Sequence, residues 1–444
     1  MKINKIAIIG SGYCGLGAAT KLIDNGYEVS IFESSKIPGG LASGMKKSNY
    51  DWPIESFYHH WFNNEPGVMQ IAKKFNLQDD VTIYSPETSF YKNGKIKPFD
   101  RPYHILTFPE LTIYDRWRLG ISLAKLKLMN SWEQFDNVTA ESWIIKNMGE
   151  NVYLKLWRPM LIGKWGEYHG KINMAWFWAR IHVRTRKLMY PIGGFQTFTE
   201  KIVESLKKRN VKFFFSFKVE KIFKNDKTGR FRINDISDLD YDKVLFTNSP
   251  NKYINSFDNF SESYKAHLNN YNQMGAVCMM IRLKRKVLKN SYWINIPADS
   301  QDIFENNIPF LVCVEHTNMI SNKYYNNEHI VYCANYLKPG HKLFDLSKEQ
   351  LFELYFKGLK KLNPKIQRNH IIDYELAKTN YASPVFNVNH RDLIPSFDST
   401  IPGLYWASMS HVYPWDRGTN YALEVGRKVA DHIIYEQRNK KQSI

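Results

Sequence analysis

The sequence predicts an α/β protein in two parts. One is a domain on a central parallel sheet that the chain leaves and re-enters; the other combines helices with an antiparallel sheet. Three observations carry this. A β-branched run over 5–10, KIAIIG, leads into Gly10-Ser11-Gly12-Tyr13-Cys14-Gly15 and then a helical pattern at Leu16, Ala18, Ala19, Leu22 and Ile23. A second strand, Glu28–Phe32, ends in the acid Glu33. Later segments from Tyr190 and from Pro402 repeat the alternation of buried strand and helix.

Each part of the first unit has a physical task. Gly10 permits a tight strand-to-helix turn, Gly12 lets backbone approach a pyrophosphate, and Gly15 lets helix and strand pack closely. The helix start offers free N–H groups and a positive dipole end to phosphates. Glu33, about 20 residues on, can accept hydrogen bonds from an adenosine ribose. With strand, helix, second strand and acid all present, the unit reads as a Rossmann-like dinucleotide site rather than a glycine-rich turn alone. Gly39-Gly40-Leu41-Ala42-Ser43 then resembles the extended FAD fingerprint of the glutathione-reductase-like flavoproteins, so FAD is the expected cofactor. An ordinary Pro38-Gly39-Gly40 turn is the other reading of those residues.

The next return begins at Tyr190-Pro191-Ile192-Gly193-Gly194-Phe195. It predicts a helix over 196–207, strands over 211–215 and 242–247, and between them the segment Val219-Glu220-Lys221-Ile222. The last return predicts a strand over 402–408, a loop Tyr413-Pro414-Trp415-Asp416-Arg417-Gly418, and a helix from Thr419 to about Glu436, with a frayed charged tail over 437–442. This layout resembles the amine oxidase, protoporphyrinogen oxidase and phytoene desaturase group, and UDP-galactopyranose mutases share it. The resemblance implies that the backbone of Val219 meets adenine and that the helix start at Gly418-Thr419-Asn420 meets the flavin's pyrimidine edge. The group often has Gly-Asp or Gly-Glu after the final strand. Here Ala407-Ser408-Met409 stands there, leaving Ser408 or Asp416 to reach the ribityl chain.

These segments give a discontinuous FAD-binding domain over 1–65, 190–250 and 386–444. The helical part of the substrate domain is expected over 66–189 and its sheet part over 251–385, with strands over 276–283, 310–315 and 330–335.

Glu55-Ser56-Phe57-Tyr58-His59-His60 follows the flavin loop, and the resemblance puts His59 and His60 near the flavin as proton-moving or hydrogen-bonding groups. A hydrogen-bonded core histidine is the alternative. Arg180 and Arg184 are spaced i, i+4, so they share a helix face able to clamp a phosphate or carboxylate, or simply to be solvated. Arg417, Tyr413 and Trp415 precede the last helix, where Arg417 is expected to act at the flavin or substrate; Tyr381 is a further pocket candidate. No metal site is expected, because adjacent histidines in a strand point to opposite faces.

With 61 Lys and Arg against 43 Asp and Glu, the net charge is +18. That favours anionic partners, or reflects many solvated lysines. No nucleic-acid fold motif is present, so nucleic acid is not expected as a partner. The four cysteines form no CxxC pair, which argues against a zinc ribbon or dithiol motif and fits a reducing cytoplasm. Lys2-Ile3-Asn4-Lys5 does not open a secretory signal, and no apolar run is long enough to span a membrane. The stretch 114–129, YDRWRLGISLAKLKLM, is amphipathic and basic. It can rest on the inner face of a membrane or pack on its own domain.

The expected function is an FAD-dependent oxidoreductase that moves a hydride between a substrate carbon and flavin. The substrate is expected to be an anionic small molecule such as a glycan or lipid-linked intermediate. No second GxGxxG unit is present for a dedicated NAD(P)H domain. The alternative is a redox-neutral sugar-nucleotide mutase.

Overall fold

The computed structural model describes residues 4–442 apart from 102, 105–107, 109, 235 and 237–239, and the side chains of 440–442 are left aside. The central sheet has the order Lys212–Phe214, Glu28–Phe32, Lys5–Ile9, Lys243–Phe246, Leu404–Trp406, and all its pairs are parallel. Ile8 sits opposite Ile31 and Leu245, and all three are buried. Burial of both faces explains why these strands read as unbroken apolar runs.

The N-terminal helix, Tyr13–Asp24, packs across the C-terminal helix, Thr419–Gln442. Two glycines permit the crossing. A Cβ on Gly426 would lie 2.0 Å from the Cys14 carbonyl oxygen, and one on Gly17 would lie 2.6 Å from that of Leu423. The expected frayed tail is instead helix to Gln442. Tyr27 holds it by donating to Gln437, and Arg438 donates to Asn25 at 3.3 Å.

A seven-stranded sheet has the order Ile371–Pro384, Gln273–Leu283, His329–Leu337, Val312–Glu315, Ser291–Asn295, Glu87–Lys92, Lys95–Pro98. Its strands alternate between two buried faces. Val277, Met279, Ile281 and Cys333 pack with Leu351, Tyr355 and Leu359 of the helix Lys348–Leu362. Cys278, Met280, Tyr332 and Ala334 join the core that contains the first strands and the N-terminal helix. The site lies on that second face.

Within 66–189, the helices Ile113–Leu128, Ala140–Met148, Arg158–Trp165 and Met174–Val183 share a Trp-rich core. The stretch 87–98 is not helical: it is a hairpin that extends the seven-stranded sheet. Asn93 and Gly94 supply its turn with φ of 50° and 73°, the paired positive values that an Asn-Gly hairpin turn requires. Val219 lies ahead of the strand Ile222–Lys224, in a loop where Asn234 Oδ1 accepts from the Glu220 and Lys221 amides at 2.8 and 3.1 Å.

One ionic cluster latches the segment after the glycine pair to the seven-stranded sheet. Arg282 Nε and Nη2 donate to the two oxygens of Glu328 at 2.7 and 2.9 Å, and Nη1 donates to Asp373 at 3.0 Å. Lys47 donates to Asp373 and Glu375 at 3.2 and 3.0 Å, and the Tyr50 hydroxyl donates to Glu328 at 2.7 Å.

Candidate active site

The nucleotide end is built from backbone. Gly10 has φ +111°, and a Cβ there would meet Thr247 Oγ1 at 2.6 Å. Gly15 packs so tightly that a Cβ would lie 2.1 Å from the Gly10 carbonyl oxygen. Gly12 differs: a Cβ there would meet nothing within 4 Å, and the residue caps the N-terminal helix with no side-chain hydrogen bond. The helix start therefore faces open space with unclaimed donors. Gly39, at φ +117°, donates its amide to the Ser11 carbonyl at 3.1 Å. A Cβ on Gly40 would sit 3.5 Å from Gly12 Cα, so the two glycine turns meet. Leu41 is half-exposed and Ala42 buried in the short turn Gly40–Ala42. Glu33 stands at the strand tip. One of its oxygens accepts from the Ser11 amide and hydroxyl, both at 2.9 Å. These residues fit FAD: the cradle would be filled by any side chain, the donors suit a pyrophosphate, and the acid suits a ribose.

The segment 56–60 follows the two glycine turns in the chain and is partly exposed throughout. Glu55 anchors it from within the core. Its carboxylate accepts from the Tyr190 hydroxyl at 2.8 and 2.9 Å and from the Phe195 amide at 2.8 Å, while the Tyr332 hydroxyl donates to its carbonyl at 2.7 Å. Burial pushes the carboxyl up to about 7, against those hydrogen bonds. His59 Nδ1 lies 2.7 Å from the Phe57 carbonyl and His60 Nδ1 lies 3.1 Å from the Tyr292 hydroxyl. Loss of hydration lowers them to about 4 and about 3, so both rings are neutral at pH 7.

The C-terminal side chains are largely committed inside the protein. Thr419 Oγ1 accepts from Trp61 Nε1 at 2.5 Å, and Asn420 Oδ1 accepts from the Val68 amide at 3.1 Å. What the helix start has to offer a flavin is its backbone at Gly418-Thr419-Asn420. Ser408 Oγ lies 2.8 Å from the Tyr381 hydroxyl, which also reaches Ser410 Oγ at 2.7 Å. Tyr413 precedes a cis Pro414, donates to Asp136 and accepts from Asn173 Nδ2 at 2.8 Å. Trp415 stacks on Tyr421, with ring centroids 5.8 Å apart.

Asp416 is the centre of the charged part of the site. It accepts from Lys164 Nζ at 2.8 and 3.1 Å and from Arg180 Nη1 at 2.6 Å, with Arg417 Nη1 3.6 Å away. Burial opposes its ionisation, but Lys164 and Arg180 outweigh burial and hold the carboxyl below its usual range. Lys164 is itself buried and ringed by Trp165, Trp176 and Tyr336, each with its centroid 5.1–5.2 Å from Nζ. Loss of hydration, with repulsion from Arg180 and Arg417, outweighs Asp416 and lowers the amine to about 7. Arg417 lies over the Tyr336 ring at 4.4 Å and is lowered to about 10 by burial and by Arg180. The field of Arg417 reaches His59 and Tyr58, and that of Arg180 and Arg184 reaches His60, so the cations face the histidine segment. A cleft of about 320 Å³ opens on the other side of Trp165 and Tyr336, along Tyr168, Met274 and Lys338.

Sequence reasoning had not singled out Glu55, Tyr58, Lys164 or Tyr336. For Lys164 a signal existed, a single cation in Met160-Leu161-Ile162-Gly163-Lys164-Trp165. Asp398, His432 and Glu436 also gather with their ligand atoms within 4.8 Å, but His432 is 2.7 Å from Asp398 and Tyr405 donates to Glu436 at 2.5 Å, so these groups bond among the protein's own side chains.

A glycine-walled nucleotide cradle, a parallel sheet and a helix start, with a cluster of charged side chains beside them, give the layout of an FAD-binding protein. The comparisons name the family. Residues 13–434 match the family model of the flavin containing amine oxidoreductases, and the chain belongs to that family. It is 26% identical over 180 residues to a zeta-carotene desaturase of Solanum lycopersicum, a match covering 35% of this chain and 30% of the desaturase. The chain thus aligns with under a third of that relative's length. Two folds are similar over nearly the whole chain. A protein of Exiguobacterium sp. with a provisional protoporphyrinogen oxidase assignment gives a TM-score of 0.75 at 14% identity, covering 98% of this chain and 100% of that one. A reduced UDP-galactopyranose mutase gives 0.73 at 17% identity, covering 97% and 95%.

Proposed function

We propose that this enzyme moves a hydride between a carbon of an anionic small molecule and the bound flavin. When bound, FAD supplies the electron chemistry. The chain's own residues bind and orient. The supporting observation is the charge imbalance at Asp416: one carboxylate stands among Lys164, Arg180 and Arg417, while Arg184, expected on the helix face of Arg180, is the extended residue that ends the helix Met174–Val183. Cations in excess of their internal partner are available to a phosphate or carboxylate. In this reading Arg417 and Arg180 take the anion and Tyr336 supports the Arg417 guanidinium. Neutral His59 and His60 hydrogen-bond to the flavin or substrate without competing for the anion. Glu55 acts through its hydrogen bonds by fixing the segment that carries the histidines. Gly10, Gly12, Gly15, Glu33, Gly39 and Gly40 hold the nucleotide, and the start of the C-terminal helix stabilises negative charge at the pyrimidine edge.

A redox-neutral mutase is the second reading. The same cations would hold a sugar diphosphate, and the fold resembles the mutase just described. An anaerobic titration separates the two. Purified holoenzyme is mixed with phosphorylated or carboxylated candidate substrates while the visible flavin band is followed. Bleaching by an anionic compound, requiring far more of it in Arg417→Ala, supports hydride transfer. Conversion of a sugar nucleotide with no net bleaching, and only after prior reduction by NAD(P)H or dithionite, supports the mutase. Bleaching by uncharged compounds that is unaffected in Arg417→Ala would sink the anionic reading.

A further inference from the structure

The helix Ile113–Leu128 turns an apolar stripe to solvent. Ile113, Tyr114, Trp117, Ile121 and Leu128 are 73, 69, 62, 65 and 79% exposed. At helical spacing all five fall on one side, along a rod about 24 Å long. Leu119, Ser122 and Leu126 are buried on the opposite side. The helix is firmly held. Thr112 Oγ1 accepts from the Asp115 amide at 3.1 Å, and Asp115 Oδ2 accepts from the Thr112 amide at 3.1 Å. Arg118 donates to the carbonyls of Asn147 and Lys146 at 3.2 and 2.7 Å. Scattered exposed apolar residues are ordinary, whereas a continuous stripe on a fixed scaffold marks an interaction surface.

Cations border the stripe. By helical position, Lys125 and Arg118 lie along one edge and Arg116 and Lys127 along the other, with Lys127 Nζ held by the His182 and Arg184 carbonyls at 2.5 and 2.8 Å. The helix's one acid, Asp115, is buried in the cap. Just ahead of the helix a cleft of about 280 Å³ is lined by Phe90, Phe108, Lys92, Lys95 and Lys97, and Arg116 Nε joins it to the helix by donating to the Phe108 carbonyl at 3.1 Å. No helix among the described residues is long and apolar enough to cross a membrane.

We propose that this face docks on an anionic phospholipid bilayer. The helix lies along the interface, its apolar stripe reaches the acyl-chain boundary, and Lys125 with the exposed cleft lysines Lys95 and Lys97 meets headgroup phosphates. A second copy of the chain would set cations against cations, whereas a uniformly anionic sheet complements the whole border. The inference stands apart from the substrate reading, since neither the stripe nor the cleft touches the Asp416 cluster.

Vesicle co-sedimentation of the full-length holoenzyme tests it, with phosphatidylcholine vesicles that do or do not contain phosphatidylglycerol. The wild type is expected to sediment with the anionic vesicles and to be released by salt. The variant Trp117→Ser/Ile121→Ser is expected to bind at least about tenfold more weakly, with unchanged flavin content and melting temperature. Lys95→Glu/Lys97→Glu is expected to lose the preference for phosphatidylglycerol. Three results would each overturn the proposal: no wild-type binding to anionic vesicles, equal binding by the Trp117→Ser/Ile121→Ser variant, or a wild-type dimer in solution that this variant dissociates.

Discussion

The Arg282 cluster and the Asp416 cluster use the same kinds of group and keep opposite balances. Around Arg282 and Lys47 stand three carboxylates, Glu328, Asp373 and Glu375. Although burial opposes their ionisation, Arg282 and Tyr50 hold Glu328 below its usual range, and the Tyr374 amide and Lys47 do the same for Asp373. Lys47 is raised by its two acids against burial. Glu328, Asp373, Lys47 and Arg282 are each steadied in the charged form, and the cluster works as a latch. Around Asp416 one carboxylate serves three cations, and Lys164 is left close to losing its proton at neutrality. The acid-rich set is engaged within the fold, and on the proposed reading the cation-rich set keeps charge for an anionic ligand.

The largest expected effect breaks the latch. Arg282→Met leaves Glu328 buried without its partner and should cost about 3–5 kcal/mol of unfolding free energy. Denaturant titration checks this, and turnover per bound flavin should remain near wild type. At the other cluster the loss should appear in function instead. Arg417→Ala is expected to lower kcat/KM for an anionic substrate by about 100-fold, with a melting temperature close to wild type. Steady-state kinetics beside calorimetry separates the two variants.

Lys164 sharpens the contrast through pH. Its folded pKa is depressed to about 7 from 10.5, so between those values the unfolded chain holds more protons. This group's contribution to stability therefore rises with pH across that window. Anion affinity should move the other way and weaken as pH passes 7, because the cation is being lost. In Lys164→Met both trends should flatten, as read by melting temperature and by ligand titration from pH 6 to 9. The smallest effect is expected from salt. Raising ionic strength should weaken anion binding at the partly exposed Arg180 and Arg417, while the melting contribution of the Arg282 pair barely changes.

The nucleotide end was legible in sequence because its rules are local. Gly10, Gly12, Gly15 and Glu33 act through backbone conformation and spacing within one strand-helix-strand unit. The charged site was only half legible. Asp416 meets Lys164 across 252 residues and Arg180 across 236, and no periodicity encodes such a meeting. Glu55 likewise acquires its hydrogen bonds from Tyr190, Phe195 and Tyr332, which lie on two later and widely separated segments of the chain. The Asn93-Gly94 turn is a local signal, two residues that take the paired positive φ of a hairpin, whereas the strand pairing that places the hairpin on the sheet is set by Ser291–Asn295 about 200 residues on.

The order of the central sheet also sets when this protein can be finished. Its first strand is made within the opening residues, yet Lys243–Phe246 must arrive before that strand gains its second neighbour, and Leu404–Trp406 closes the edge. The helix that packs on Gly17 comes later still. During translation the early strands and the glycine cradle therefore wait, with apolar faces uncovered, while hundreds of residues are added. Such long-range closure slows folding and exposes sticky surface in the meantime. A chain that ends before residue 404 lacks the edge strand and the C-terminal helix, and is expected to hold flavin poorly.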